Sequence, residues 1–216
     1  MGKRYNVRPD TRLRLHSASG KIHVIAEDRE DIQVDSASRE LEFREDGRIA
    51  EIKSKSSRLE LRVPTGMNVS VGAISGSVRL EGTFGGVKVS AVSGSVELDH
   101  ALGDVDIRSV SGSLTVKSAA GECCVNSKSG RIEIGRVGRL AKAATISGRV
   151  ELTTEGGGDV EVKTISGHVS VRVPPGKAPR VRFRSLAGKL RCDCEQGDDF
   201  EVRAASVSGS VEITTA

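Results

Sequence analysis

Aliphatic residues in this chain alternate with polar ones in short bursts, and the bursts return about every 18 residues. Val78 and Leu80, Val96 and Leu98, Leu114 and Val116, Ile132 and Ile134, and Val150 and Leu152 each stand two and four residues after the glycine of a Ser-Gly pair. Period-two alternation is the signature of a strand that buries one face. A second burst precedes each pair: Val69 and Val71, Val87 and Val89, Val105 and Ile107, Cys123 and Val125, Val160 and Val162, Val181 and Phe183. Two strands per repeat, punctuated by glycine, predict one supersecondary unit stacked on copies of itself. β-Branched residues, serine and glycine dominate every window, so no helix is expected.

The Ser-Gly pairs lie at 75–76, 93–94, 111–112, 129–130, 147–148, 166–167 and 208–209. Extending the register places the second residue of each pair at 20, 39, 57, 76, 94, 112, 130, 148, 167, 188 and 209. The pattern predicts an all-β, single-domain parallel β-solenoid of the β-helix or β-roll kind, with about eleven coils of ~18 residues. Right-handed winding is the default for parallel crossovers. Residues 1–10 read as an N-terminal extension and 11–216 as the solenoid, with degenerate coils over 11–74, regular coils over 75–165 and longer ones over 166–216. In the degenerate part, Ser38-Arg39 precedes Leu41 and Phe43, and Ser56-Ser57 precedes Leu59 and Leu61, so these segments read as successive coils. Gly94 and Gly103 divide a coil into two beats of nine, which excludes the left-handed hexapeptide helix with its three beats of six.

Less regular second strands read as Ile32 with Val34, Ile49 with Ile52, and Phe200 with Val202. After Leu140 the next inward residue is left open between Ala141, Lys142 and Ala143. A further apolar residue precedes most serines (Ile74, Val92, Val110, Ile146, Ile165, Val207) and brings the inward set to five or six per coil. At roughly 1.5–3 kcal/mol per buried aliphatic side chain, that sustains a narrow continuous core. Stacked at ~4.8 Å per coil, the rod is on the order of 50 Å long. The extra residues of the longer coils fall at VPTG (63–66) and VPPGKAP (173–179), expected as protruding turns at sheet edges because proline cannot donate to a ladder.

Composition narrows function by exclusion. The net charge is +4, from 33 basic and 29 acidic residues, and aromatics are 2% of the chain. That is neither the concentrated basic footprint nor the stacking platform of a nucleic-acid binder. No apolar run approaches the ~18 residues that span a bilayer, so no direct membrane insertion is expected. The start, MGKRYNVRPDTRLRL, lacks the apolar stretch of a secretory signal. The default location is cytoplasmic, with a surface location open should a targeting segment precede the chain.

Candidate chemistry is thin. The repeated serines Ser75, Ser93, Ser111, Ser129, Ser147, Ser166 and Ser208 have no histidine at a fixed offset, since His16, His23, His100 and His168 are scattered. They read as turn hydroxyls bonding their own backbone or the adjacent coil. Asp104, Asp106 and Asp159 lack the ladder spacing of a calcium-binding nonapeptide, so no calcium site is expected. Cys123-Cys124 and Cys192-x-Cys194 match no zinc knuckle. Cys192 and Cys194 point to one side of a strand with vectors that do not converge, so all four thiols read as core fillers in a reducing compartment. Glu133 above Glu151, beside Arg131 above Arg149, reads as solvated sheet surface rather than paired catalytic carboxylates. No catalytic, cofactor-binding or metal-binding residue emerges. The densest positive patch is Arg180, Arg182, Arg184, Lys189 and Arg191, a candidate contact for an acidic partner.

The string LELRVPTGMNVSVGAISGSVRLEG (59–82), with the repeated SGxVxL units and a second "VP-G" turn within 171–190, resembles the bacterial putative-adhesin family of β-solenoid domains. The resemblance covers about residues 11–214 and implies a β-solenoid with no known cofactor and no established catalytic residues, so no site carries over. The expected function is a non-enzymatic binding or scaffold module that meets another macromolecule, most simply a protein, through its faces and ends. The alternatives are a polymerising structural protein similar to the bactofilins and, less favoured, a carbohydrate-active solenoid enzyme. No helix or proline cap follows the last coil at Ser210–Thr215, so that coil is expected at an open end, pairing copies into a homo-oligomer.

Overall fold

The computed structural model describes residues 3–8, 10–36, 41–46, 48–54 and 58–215. All regular structure among them is β-strand, eighteen strands in one continuous hydrogen-bonded system. The middle of the chain winds as its spacing predicts. From β7 (Asn68–Phe84) through β8 (Val87–Ser93), β9 (Val96–Ala101), β10 (Val105–Ala119), β11 (Glu122–Val137) and β12 (Leu140–Thr153), each rung after β7 lies parallel on the one about 18 residues before it. Val78 stands beside Val96, Val96 beside Leu114, and Ile132 beside Leu114 and Val150. The inward rows from the strand before and the strand after each glycine fill a single aliphatic core.

The bend between the two faces is made inside continuous strands. β7, β10, β11 and β12 run straight through the Ser-Gly corner; Gly76, Gly112 and Gly130 of the first three take φ of +122°, +130° and +115°, and Gly94, between β8 and β9, takes +125°. Only glycine adopts such angles readily. A Cβ on Gly94 would also lie on the carbonyl oxygen of Gly76, and one on Gly112 on that of Gly94. Buried hydroxyls two residues before the serine brace the bend. Ser109 Oγ donates to the Ser111 carbonyl at 3.2 Å, and Ser127 Oγ to that of Ser129 at 2.8 Å.

At the ends the stacking departs from chain order. The first coil, β2 (Arg12–Glu27), lies directly on β7, with Gly20 beside Gly76. Its other side is covered by β5 (Ile49–Ser54) and β6 (Arg58–Pro64), which come later in the chain. A mirror arrangement closes the far end. The chain leaves β13 (Asp159–Thr164) and β14 (His168–Val173), skips one rung, and lays down β15 (Arg180–Ser185) and β16 (Lys189–Asp193). It then returns, so that β17 (Glu201–Ser206) sits between β13 and β15, and β18 (Ser210–Thr215) between β14 and β16.

The C-terminal coil is therefore not the open end expected from sequence. Both its edges are paired, and the exposed edge belongs to residues 180–193. The two VP-G segments are the step-overs that skip a rung. Each is a tight turn in which the fourth residue's N–H meets the first carbonyl: Met67 to Pro64 at 3.2 Å and Lys177 to Pro174 at 3.3 Å. Gly66 and Gly176 hold the third position with φ of +79° and +76°, the geometry of a type II turn.

The N-terminal segment also departs from a parallel coil. β3 (Asp31–Ser36) runs antiparallel to β6, and β4 (Leu41–Asp46) antiparallel to β5. The coil expected around position 39 is thus replaced by two antiparallel edge strands, and residues 37–40 and 55–57 lie outside the described residues. Residues 3–6 of the N-terminal extension form β1 (Lys3–Asn6), antiparallel to β3. Tyr5 and Phe43 stack with ring centroids 3.8 Å apart over this end of the core. Ten parallel coils remain among the described residues: β5/β6, β2, β7, β8/β9, β10, β11, β12, β13/β14, β17/β18 and β15/β16.

Three inward assignments shift by one or two residues. Ala50 rather than Ile49 joins Ile52 in the core, Ala141 and Ala143 face inward beyond Leu140, and Val202 pairs inward with Ala204 while Phe200 is buried in the preceding turn.

Gly94→Ala combines the corner dihedral with overlap on Gly76 and should cost about 2–5 kcal/mol, the sum of about 1–2 for backbone strain and 1–3 for overpacking. Gly66→Ala meets open space and should cost only the backbone share, about 1–2 kcal/mol. Urea unfolding of the two variants measures the difference. Deleting residues 201–215 should abolish cooperative folding rather than trim an end, because β15/β16 loses the rung it pairs with. Circular dichroism and limited proteolysis of the truncated chain check this.

Candidate interaction surface

The positive patch lies on the outermost coil and is split between two faces. Arg180, Arg182 and Arg184 project outward from β15, and Lys189 and Arg191 from β16. Arg180 pairs with Asp198 at 2.6 Å, Arg182 with Glu201 at 2.7 Å and Arg191 with Asp193 at 2.7 Å. Arg184 and Lys189 make no ion pair among the described residues. The patch flanks the open end of the core, where Val181, Phe183, Cys192 and Cys194 are half-buried.

A second surface runs along eight of the ten coils. The residues just before the serines, expected inward, point outward: Ile74 (61% exposed), Val92 (48%), Val110 (40%), Ile146 (46%), Ile165 (48%) and Val207 (42%). The reason is alternation. Ala73, Ser109, Ser127, Thr145, Thr164 and Ser206 take the third inward position of the strand, so the next residue must face water. Register sets these residues side by side in the order Ile74, Val92, Val110, Lys128, Ile146, Ile165, Val207, ending on Leu186 at 87% exposure. Seven steps of ~4.8 Å give an aliphatic ridge ~34 Å long. It holds seven of the nine large hydrophobic residues exposed among the described residues. Beside it lies a groove of about 490 Å³, with Ala144 and Ala205 in its lining and Arg108, Lys128 and Lys163 around it.

The remaining motifs are structural. Ser129 Oγ donates to Val110 O at 3.4 Å and Ser208 Oγ to Ile165 O at 3.5 Å, each bonding the neighbouring rung. Asp104 accepts the Glu122 N–H and Asp159 the Glu201 N–H, both at 2.9 Å, so each carboxylate caps the backbone of the next rung. Asp106 pairs with Arg108 at 3.2 Å, and Arg131 with Glu133 at 3.4 Å. Among the described residues no group of three His, Cys, Asp or Glu side chains could hold a metal ion. Cys123 is a core thiol pushed up to about 12 by burial. Cys124 lies half-buried, its thiol donating to Glu122 Oε1 at 3.2 Å, and burial first, then that bond, raise it to about 11.

The Toastrack DUF4097 family profile matches residues 11–216. The chain belongs to that family. A putative adhesin from Parabacteroides merdae ATCC 43184 is similar in structure at a TM-score of 0.55 and 15% identity, over 99% of this chain and 95% of its own. A putative adhesin from Bacteroides fragilis NCTC 9343 aligns at a TM-score of 0.44 and 11% identity, over 99% and 96%. No curated protein matches the chain. The first of these likenesses establishes a shared fold. No helix among the described residues of this Toastrack domain is long and apolar enough to cross a membrane.

Between rungs, charged groups of the Toastrack faces are tied across the ladder. Asp99 accepts from Lys117 Nζ at 2.7 Å on one neighbouring rung and from the Gly82 N–H at 3.3 Å on the other. Partial burial pulls its carboxyl upward, but the Lys117 and Gly82 bonds outweigh that and hold it below the usual range. A depressed carboxyl stabilises the fold above its unfolded pKa, about 4, and loses that contribution as pH falls through the folded value. Asp99→Asn should therefore lower stability at neutral pH and flatten its fall below pH ~4, so that the two chains converge in acid. Thermal unfolding of both chains across that range checks the slope.

Proposed function

We propose that this Toastrack domain is a non-enzymatic binding or scaffold module whose main contact surface is the aliphatic ridge. The observation that carries the reading is the collection of exposed aliphatic side chains on one line beside a cation-rimmed groove. Exposed apolar side chains gathered along one line mark an interaction site. The partner it fits is a protein segment with an apolar stripe and acidic flanks. Its apolar side chains cover Ile146, Ile165 and Val207, and a carboxylate meets Lys128, which has no ion pair of its own among the described residues. A second copy laid antiparallel about the ridge centre would instead set Lys128 against Ile146, with no carboxylate of the ridge to meet it. The basic patch at Arg180, Arg182, Arg184, Lys189 and Arg191 offers a second contact for an acidic partner at the rod's end.

Self-association is a second reading, favoured by the unpaired outer edges of β15 and β16. It concerns residues 180–193, not the C-terminal coil. Twofold pairing of β15 with itself would set arginine against arginine along one face, which like-charge repulsion disfavours. Filament growth in the manner of the bactofilin-like alternative would also have to continue through the antiparallel strands β1, β3 and β4 at the other end.

Val110→Glu with Ile146→Glu should weaken binding of an acidic amphipathic test peptide more than tenfold, with the melting temperature unchanged. Lys128→Glu should weaken it and Lys128→Arg should not. Glu97→Arg, on another face, should leave it intact. Titration calorimetry reads all four, and equal binding by the Val110/Ile146 variant would refute the ridge as the site.

A further inference from the structure

Cys192 and Cys194 do not behave as the sequence suggests. Their sulfurs lie 3.2 Å apart. β16 ends at Asp193 and the chain bends at Cys194, which swings its side chain back toward Cys192 instead of leaving the two parallel along a strand. Both are half-buried at the open end of the rod, on the outermost coil, where no further rung covers them. Cys123 and Cys124 offer no such pair: they are neighbours on opposite sides of β11, the first fully buried and the second bound to Glu122.

We propose that Cys192 and Cys194 form a dithiol site that closes to an intramolecular disulfide by exchange with a low-molecular-weight disulfide. The sulfurs need approach by only about 1.2 Å to reach the ~2.05 Å of a disulfide, and the bend at residues 194–199 is free of regular structure that would resist it. In the first step one thiolate of the pair attacks a sulfur of the external disulfide, forms a mixed disulfide and releases one thiolate. In the second, the other cysteine of the pair, deprotonated, attacks its neighbour's sulfur in the mixed disulfide and expels the second thiolate. The pair loses two protons and two electrons, the external disulfide gains them as two thiols, and one S–S bond replaces another.

The surroundings suit a slow, thermodynamically governed pair rather than a fast nucleophile. Burial first, then the hydrogen bond with Cys192, push the Cys194 thiol up to about 11, so little thiolate is present near neutrality. Proximity favours the second step: once one cysteine carries an adduct, its partner is already within contact distance. The site is independent of the ridge, which lies along the Ser-Gly corner and contains no cysteine.

The test is incubation of the folded protein with excess glutathione disulfide, followed by alkylation of free thiols and peptide mapping. The expected product carries a Cys192–Cys194 cross-link two mass units lighter than the dithiol, with no glutathione retained on either residue. Cys192→Ser and Cys194→Ser should each retain one glutathione on the remaining cysteine. Stable glutathione adducts on the wild-type pair, cross-links between chains, or a pair that stays unreacted while folded would each overturn the proposal. The wild-type map decides alone should either variant unfold.

Discussion

The corner at each Ser-Gly pair is the constraint on which the rest of the molecule depends. The chain must turn from one face to the other without breaking its hydrogen-bond ladder, and from Gly20 through Gly76, Gly94, Gly112 and Gly130 it does so with backbone angles that only glycine takes readily. Each corner is also so close to the next that a side chain carbon would overlap the neighbouring carbonyl. At Gly76, Gly94, Gly112 and Gly130 glycine is thus required twice at the same atom, once by torsion and once by space, and at Gly148, Gly167, Gly188 and Gly209 by space. The result is a spine running 20, 76, 94, 112, 130, 148, 167, 209, 188 along the rod. Because a one-residue slip would exchange the buried and solvated faces, pinning glycine on glycine fixes the register of both faces together.

That spine order also shows how the rod handles its ends. A terminal coil on an open edge would be paired on one side only and would fray. Here both terminal coils lie one rung in, hydrogen-bonded on each side: Lys189 N–H donates to Gly209 O at 3.2 Å, and Ser210 N–H to Gly167 O at 3.0 Å. The outermost rungs are instead internal segments held by chain at both of their ends. The two ends differ, however. One is closed by antiparallel strands and the Tyr5–Phe43 stack, whereas the other presents parallel edge strands bordered by arginines, a common means of blunting an exposed edge.

Legibility in the sequence followed what a one-dimensional period can carry. The spacing of Val78, Val96 and Leu114 identified a solenoid and its side-by-side residues, because periodicity encodes which residues share a column. It does not encode which coil abuts which. Gly20 fits on Gly76 as well as it would on a residue near 39, so the interleaved ends left no mark in the period itself. They did leave one in length: both segments that exceed the repeat, VPTG and VPPGKAP, sit where the chain skips a rung, although they read simply as protruding turns. The Cys192–Cys194 convergence was hidden because strand geometry was assumed one residue beyond the end of β16.

The ridge was misplaced for a more instructive reason, and the same reason strengthens its interpretation. Apolar character at Ile74, Val92 and Val110 was read as burial, whereas alternation counted from Val69 and Val71 already sends residue 74 outward. Once these residues face water, the core no longer explains why they are aliphatic. Nor does local backbone geometry, since Lys128 occupies the equivalent position between Val110 and Ile146 with the ladder unbroken on both sides. The position tolerates an exposed charge. Six neighbouring rungs and Leu186 nevertheless carry branched aliphatic side chains there, against the usual preference for polar residues at such exposure. An outer position that the fold leaves free, filled repeatedly with residues that solvent disfavours, is best accounted for by something that covers it.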